Sequence, residues 1–135
     1  MTKALVAGVD DLFFRSKIEA TARHLAVPIR FAEAGDLPRE ARGADVAAVL
    51  LELSSNGAAL EAVGKIRAEK STSALPIVGF LSHVDHELRR RAESAGVTRV
   101  LARSEFSETL PDLVMDLLAP GTKREIQEEP ELPDE

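Results

Sequence analysis

Apolar runs alternate with amphipathic stretches five times along this chain. KALVAGV (3–9) and VAAVLLEL (46–53) are nearly continuous apolar runs, the pattern of central parallel strands covered on both faces. PIVGFL (76–81) is a third such run, opening on a proline, which a strand tolerates at its first position. VPIRFA (27–32) alternates Val27, Ile29 and Phe31 with Pro28 and Arg30 and predicts an edge strand with one wetter face. TRVLA (98–102) is the fifth and shortest run.

Helical spacing fills the intervals. Phe14, Ile18, Thr21 and Leu25 recur every three or four residues and turn Arg15, Lys17, Glu19 and Arg23 outward. The second helix, about Leu37 to Arg42, has the least periodicity. Ala59, Val63 and Ile66 mark a third helix after Gly57. Val84, Leu88, Ala92 and Ala95 predict the stripe of a fourth, with Gly96 as its C-cap. For the last helix the sequence predicts Ser107 as N-cap, Pro111 in the first turn, and Leu110, Val114 and Leu117 as the buried face. Strict alternation of strand and helix implies an α/β domain with a parallel sheet and helices on both faces. Five such units favour the flavodoxin-like (βα)5 order 2-1-3-4-5, whose strands present their C-terminal ends at a single crevice.

Composition narrows the chemistry. At 135 residues, 44% apolar and 30% charged, the chain holds one core. Its boundary is expected near residue 118. Residues 119–135 set Lys123 and Arg124 against six acidic side chains and contain three prolines, so they hold most of the net charge of −6 and are expected to be disordered. Cysteine is absent, which removes disulfides, thiolate metal sites and cysteine nucleophiles. An acidic chain without Trp or Tyr lacks the basic footprint and the stacking surface of a nucleic-acid binder. The short N-terminal apolar run meets Asp10 and Asp11 too soon for a signal peptide or a membrane span. The expectation is a cytoplasmic protein without a membrane partner.

The C-terminal ends of the predicted strands bring together Asp10 and Asp11 after the first, Glu52 at the third, Ser82 after the fourth and Arg103 after the fifth. Glu52 lies 41 residues beyond Asp11, Ser82 30 beyond Glu52, and Arg103 21 beyond Ser82. With VDDLFFRSKIEATARHL, VAAVLLELSSNG, PIVGFLS and AESAGVTRVLARS, this ordered set resembles the receiver domain of two-component response regulators from about Lys3 to Leu118. The resemblance implies an acidic pair at Asp10 and Asp11 that binds Mg2+, a phosphoacceptor position at Glu52, a switch hydroxyl at Ser82 and a lysine-equivalent at Arg103. It also implies a partner or dimer surface on the fourth helix, fifth strand and fifth helix.

Several positions depart from the family pattern. Glutamate replaces the acceptor aspartate at 52, arginine replaces lysine at 103, Ser104 stands in place of the usual proline, and Val100 in place of the switch aromatic. A glutamate places its carboxylate one bond too far for in-line attack, where errors of about 1 Å cost on the order of a hundredfold in rate. A planar guanidinium does not replace an ammonium freely. The expectation is a pseudo-receiver, not an enzyme and requiring no cofactor, in which Glu52 and Arg103 form a permanent bidentate ion pair and a protein partner or second copy reads the fixed state. With no effector segment after residue 118, a standalone adaptor is expected. Other readings stay open: a weakly phosphorylatable Mg2+-dependent regulator, or a flavodoxin-like small-ligand module, although the latter has no Gly-rich phosphate loop. Asp10 and Asp11 equally suit a helix cap, Glu52 and Arg103 a purely structural pair, and Ser82 a plain strand-end hydroxyl. His83 and His86 lack the further ligands of a zinc site. Arg89, Arg90 and Arg91 form a basic run on the exposed side of the fourth helix, which is either a solvated face or a surface for an acidic partner.

Overall fold

The computed structural model describes residues 3–54, 57–82 and 84–119. Five strands, β1 (Ala4–Gly8), β2 (Ile29–Phe31), β3 (Val46–Glu52), β4 (Ile77–Leu81) and β5 (Arg99–Ala102), form one sheet in the order β2-β1-β3-β4-β5. Every pairing is parallel, so each connection must cross over, and each does so through a helix: α1 (Leu12–His24), α2 (Leu37–Ala41), α3 (Ala58–Ala68) and α4 (His86–Ala95). The closing helix α5 (Arg103–Leu118) follows β5. This is the flavodoxin-like topology expected from the sequence, with β2 on the edge where its alternating pattern placed it. The tail beyond Ala119 and His83 lie outside the described residues.

Two apolar layers form because strand side chains alternate across the sheet. Leu5 and Ala7 of β1, Leu50 of β3 and Phe80 of β4 pack under α1 and α5, while Val6, Val49, Leu51 and Ile77 pack under α2, α3 and α4. Gly8 faces the second layer, where a Cβ would stand 2.6 Å from Leu37 Cδ1, so a side chain here would force Leu37 of α2 to shift. At the outer edge Arg30 bonds Asp45 and Glu40 at 3.2 and 3.3 Å. The Asp45 bond is the main cause of a raised Arg30 pKa, and in turn holds the Asp45 carboxyl below its ordinary value.

Three helical expectations need correction. Helix α5 starts at Arg103, one turn before Ser107, and Pro111 lies well inside it rather than in its first turn. The reason is Phe106, fully buried and stacked on Phe80 with centroids 4.3 Å apart, with Phe14 completing the cluster 4.8 Å from Phe80 and 6.2 Å from Phe106. Burial of that ring extends the apolar face of α5 back through Phe106 and outweighs the local capping signal. Val84 precedes α4 and is 65% exposed, so the stripe consists of Leu88 and Ala92, with Ala95 partly buried. Arg89 is half-buried rather than outward, donating from its guanidinium to the Val100 carbonyl at 2.8 Å and fastening α4 to β5. Gly96 does end α4, with φ 116° and Val97 N–H returning to the Ala92 carbonyl at 3.1 Å, the paired bonds of a Schellman end.

Candidate functional site

The crevice begins where β1 and β3 stop together, Gly8 pairing with Leu51. Beyond Gly8 the backbone turns through Val9, Asp10 and Asp11 into α1. Asp11 caps that helix, its Oδ1 accepting from Phe13 N–H at 2.8 Å and Phe14 N–H at 3.2 Å. The helix-capping reading of Asp11 thus holds, and Asp10 stands exposed beside it. Arg15 fixes the same turn from the far side: its guanidinium donates to the Val9 carbonyl at 3.1 Å and lies 4.4 Å above the Phe31 ring. Nothing in the sequence spacing marked Arg15 for this task.

Glu52, the last residue of β3, fastens the turn from inside. Its Oε1 accepts from the backbone N–H of Asp10 at 2.8 Å and of Asp11 at 3.1 Å. The extra methylene lets the carboxylate lean toward the end of β1 and satisfy two adjacent amides, charge-assisted bonds that are stronger than neutral ones. Its other oxygen, Oε2, lies 3.9 Å from Arg103 NH2. That separation is an ion pair but not a hydrogen bond, so the bidentate contact expected between the two residues is absent. Side-chain exposure is 17% for Glu52 and 49% for Arg103. Protein backbone therefore anchors the glutamate, while the arginine stays half in solvent. Arg103 and Ser104 open α5 directly, with no connecting residues after β5.

Ser82 follows β4, two residues beyond Phe80, which pairs with Glu52 in the sheet. It is exposed, and its carbonyl accepts from Asp85 N–H at 3.1 Å. Asp85 in turn caps α4 through Leu88 N–H. A cavity of about 210 Å³ adjoins the site on the α3 side, lined in part by Gly8, Asp10, Glu52, Ser54 and Ala58. Among the described residues no three His, Cys, Asp or Glu side chains stand together to hold a metal ion. Part of the oxygen set that the receiver resemblance assigns to Mg2+ is taken up by other bonds. The Asp11 Oδ1 is committed to two helix amides and the Glu52 Oε1 to two turn amides, whereas Mg2+ demands near-ideal octahedral oxygen geometry.

Solved structures share this architecture. The receiver domain of a Pseudomonas aeruginosa sensor histidine kinase, described with a magnesium ion coordinated in its active-site cleft, superposes with a TM-score of 0.74 at 18% identity, over 87% of this chain and 98% of that one. The chemotaxis protein CheY4 of Vibrio cholerae gives 0.73 at 17%, over 87% and 100%. A response regulator from Hahella chejuensis gives 0.76 at 15%, over 88% and 97%. The fold is that of response-regulator receiver domains. No family model matches the chain, and no curated protein matches it. Asp10, Asp11, Glu52 and Arg103 all reach the C-terminal crevice, drawn there from the ends of three strands, β1, β3 and β5. No helix among the described residues is long and apolar enough to cross a membrane.

Proposed function

We propose that this chain is an atypical receiver domain that signals by protein–protein interaction from a fixed state, without phosphorylation. One observation carries the reading: the Glu52 carboxylate is bonded through Oε1 to the amides of Asp10 and Asp11. An acceptor oxygen must approach phosphorus in line, and the two bonds to Oε1 hold the whole carboxylate against the turn after β1, so that Oε2, although it keeps its lone pairs, is not carried to that line. The same bonds replace a cation with backbone dipoles, so the turn after β1 is held without Mg2+, and no enzymatic turnover is assigned. Arg103 supplies a long-range counter-charge, an imperfect substitute for the pairing of a phosphoryl group, which brings about −1.5 to −2 of charge and three acceptor oxygens. The partner is a protein, a signalling molecule or a second copy, and the surface it reads is formed by α4, β5 and α5.

The test is phosphoryl incorporation, read by intact mass after incubating wild type and Glu52→Asp with acetyl phosphate and Mg2+. The expected result is a gain by Glu52→Asp alone, because the shorter side chain withdraws from the Asp10 and Asp11 amides and frees its oxygens. A gain by wild type that maps to Glu52 would make the protein an ordinary switch and end this reading. No gain by either protein would assign the block to Arg103 as well, and the Glu52→Asp/Arg103→Lys variant would then be the one to gain.

A further inference from the structure

A second feature lies away from the crevice. Between α3 and α4 runs an open groove of about 500 Å³, lined by Leu60, Arg90, Arg91, Ser94 and Ala95. Leu60 and Ala95 give it an apolar part, Arg90 and Arg91 line it as well, and among the described residues no acidic side chain does. Arg91 is exposed, and among the described residues Arg90 is ion-paired with its own helical neighbour Glu87, at a site where both side chains are about two-thirds exposed. Such i,i+3 pairs on a helix surface exchange readily because they are worth so little.

We propose that the groove receives the end of the chain's own acidic segment, residues 129–135. The complementarity is of two kinds. Glu129, Glu131, Asp134 and Glu135 offer carboxylates to Arg90 and Arg91, and Leu132 among them offers an apolar side chain to Leu60 and Ala95. Topology allows the reach. In a parallel sheet each helix returns antiparallel to the strands, so the C-terminal ends of α4 and α5 lie at the same sheet edge, and the described chain ends at Ala119, next to α5. Nine extended residues span about 30 Å, and a helix with its side chains is about 10–12 Å across. Residues 120–128 can therefore round β5, the edge strand, from the layer of α5 to the layer of α4. Tethering decides between this occupant and a separate acidic protein: a short linker gives the tail an effective concentration in the millimolar range, above that of most free competitors. Docking requires nothing of Glu52 or Arg103, and it covers one flank of α4, so a partner that uses this helix has to meet or displace the tail.

The absence of native cysteine makes the test direct. A nitroxide is placed on the full-length chain through Gln127→Cys, and amide intensities of the 15N-labelled protein are compared before and after reduction. Docking predicts that the amides of Leu60 and of Arg90 to Ala95 lose more than half their intensity at 0.1 M salt, while α1 on the opposite layer is unaffected. At 1 M salt, where the screening length falls from about 10 Å to about 3 Å, the loss should largely disappear, as it should in Arg90→Glu/Arg91→Glu at low salt. Broadening that is uniform, centred elsewhere, or indifferent to salt would overturn the proposal without reliance on the variant's folding. An equimolar mixture of 15N protein without nitroxide and unlabelled protein with it isolates contacts between molecules; groove broadening in that sample would assign the site to a second copy and overturn the intramolecular assignment.

Discussion

The two edges of the sheet each hold an arginine, and the molecule treats them in opposite ways. At the N-terminal edge Arg67 of α3 donates to four acceptors: the Gly96 carbonyl at 2.8 Å, the Ser73 and Thr72 carbonyls at 3.1 and 3.3 Å, and Thr98 Oγ1 at 3.1 Å. Thr98 passes the connection on, its hydroxyl accepting from Ile77 N–H at 2.9 Å. Thr72, the buried polar residue of this region, donates to the Ile66 carbonyl at 2.6 Å. One guanidinium thus joins the end of α3, the approach to β4, the end of α4 and the approach to β5, and burial pushes its pKa below the ordinary arginine value. At the C-terminal edge Arg103, among the described residues, has one ion pair, 3.9 Å from a carboxylate that is already held by two backbone amides. A guanidinium whose donors are consumed by carbonyls maintains structure. One that is half in solvent beside an anchored carboxylate leaves its donors for something that arrives.

Breaking the first edge should have the largest effect. Arg67→Ala removes four bonds and strands carbonyls at the ends of two helices; hydrogen bonds from charged donors are worth roughly 1.5–3 kcal/mol each but do not add, so a net loss of about 3 kcal/mol is expected. That corresponds to a fall in melting temperature on the order of 10 °C. Arg67→Lys should recover little of this, since an ammonium cannot serve three directions in one plane. A urea midpoint within error of wild type for either variant would show that the network adds nothing. Next in size is Gly96→Ala. Its φ of 116° disfavours any side chain, and the new Cβ would stand 2.8 Å from Arg67 Cγ, so the substitution strains the backbone and disturbs the Arg67 network together. About 1–2 kcal/mol is expected, read by the same denaturation. Ala26 provides the control, because it ends α1 with φ 60° and the same return bonds, Ala26 N–H to Arg23 and Val27 N–H to Ala22. There Ala26→Gly should stabilise by up to about 1 kcal/mol.

How far the sequence foretold these edges follows from the kind of signal each carries. The strands were legible because a parallel strand covered on both faces must be a continuous apolar run; β3 was expected over 46–53 and spans Val46–Glu52. The early start of α5 was not, because Phe106 is buried by rings from β4 and α1, a tertiary cause with no local mark, while Ser107 carried a misleading one. Strand ends alone sufficed to bring Asp10, Asp11, Glu52 and Arg103 to one crevice. What they left out was the partner of Glu52. Side-chain identity suggests a guanidinium for a carboxylate, but the anchors here are two backbone amides, which every residue except proline possesses and no motif records. Arg67 was equally silent, since three of its four acceptors are main-chain carbonyls, the farthest 29 residues away.

The second edge should yield smaller changes, and the order within it separates anchor from bystander. Glu52→Ala leaves the Asp10 and Asp11 amides without their acceptor, although solvent reaches Asp10, so a loss of about 1–2 kcal/mol is expected, with Glu52→Gln losing less because an amide oxygen still accepts. Arg103→Ala should cost no more than about 0.5 kcal/mol, the scale of an exposed pair. The decisive quantity is the coupling between them. If Glu52 is held by backbone, the double-mutant cycle of Glu52→Gln and Arg103→Ala should return an interaction energy below about 0.5 kcal/mol, insensitive to salt beyond that margin. A coupling of 2 kcal/mol or more would mean that the pair closes in solution into the bidentate contact suggested by the residue types alone, and the fixed state would then belong to Arg103 as much as to the turn after β1. A weak coupling leaves the guanidinium poised beside an immobile carboxylate, with donors still open to a partner.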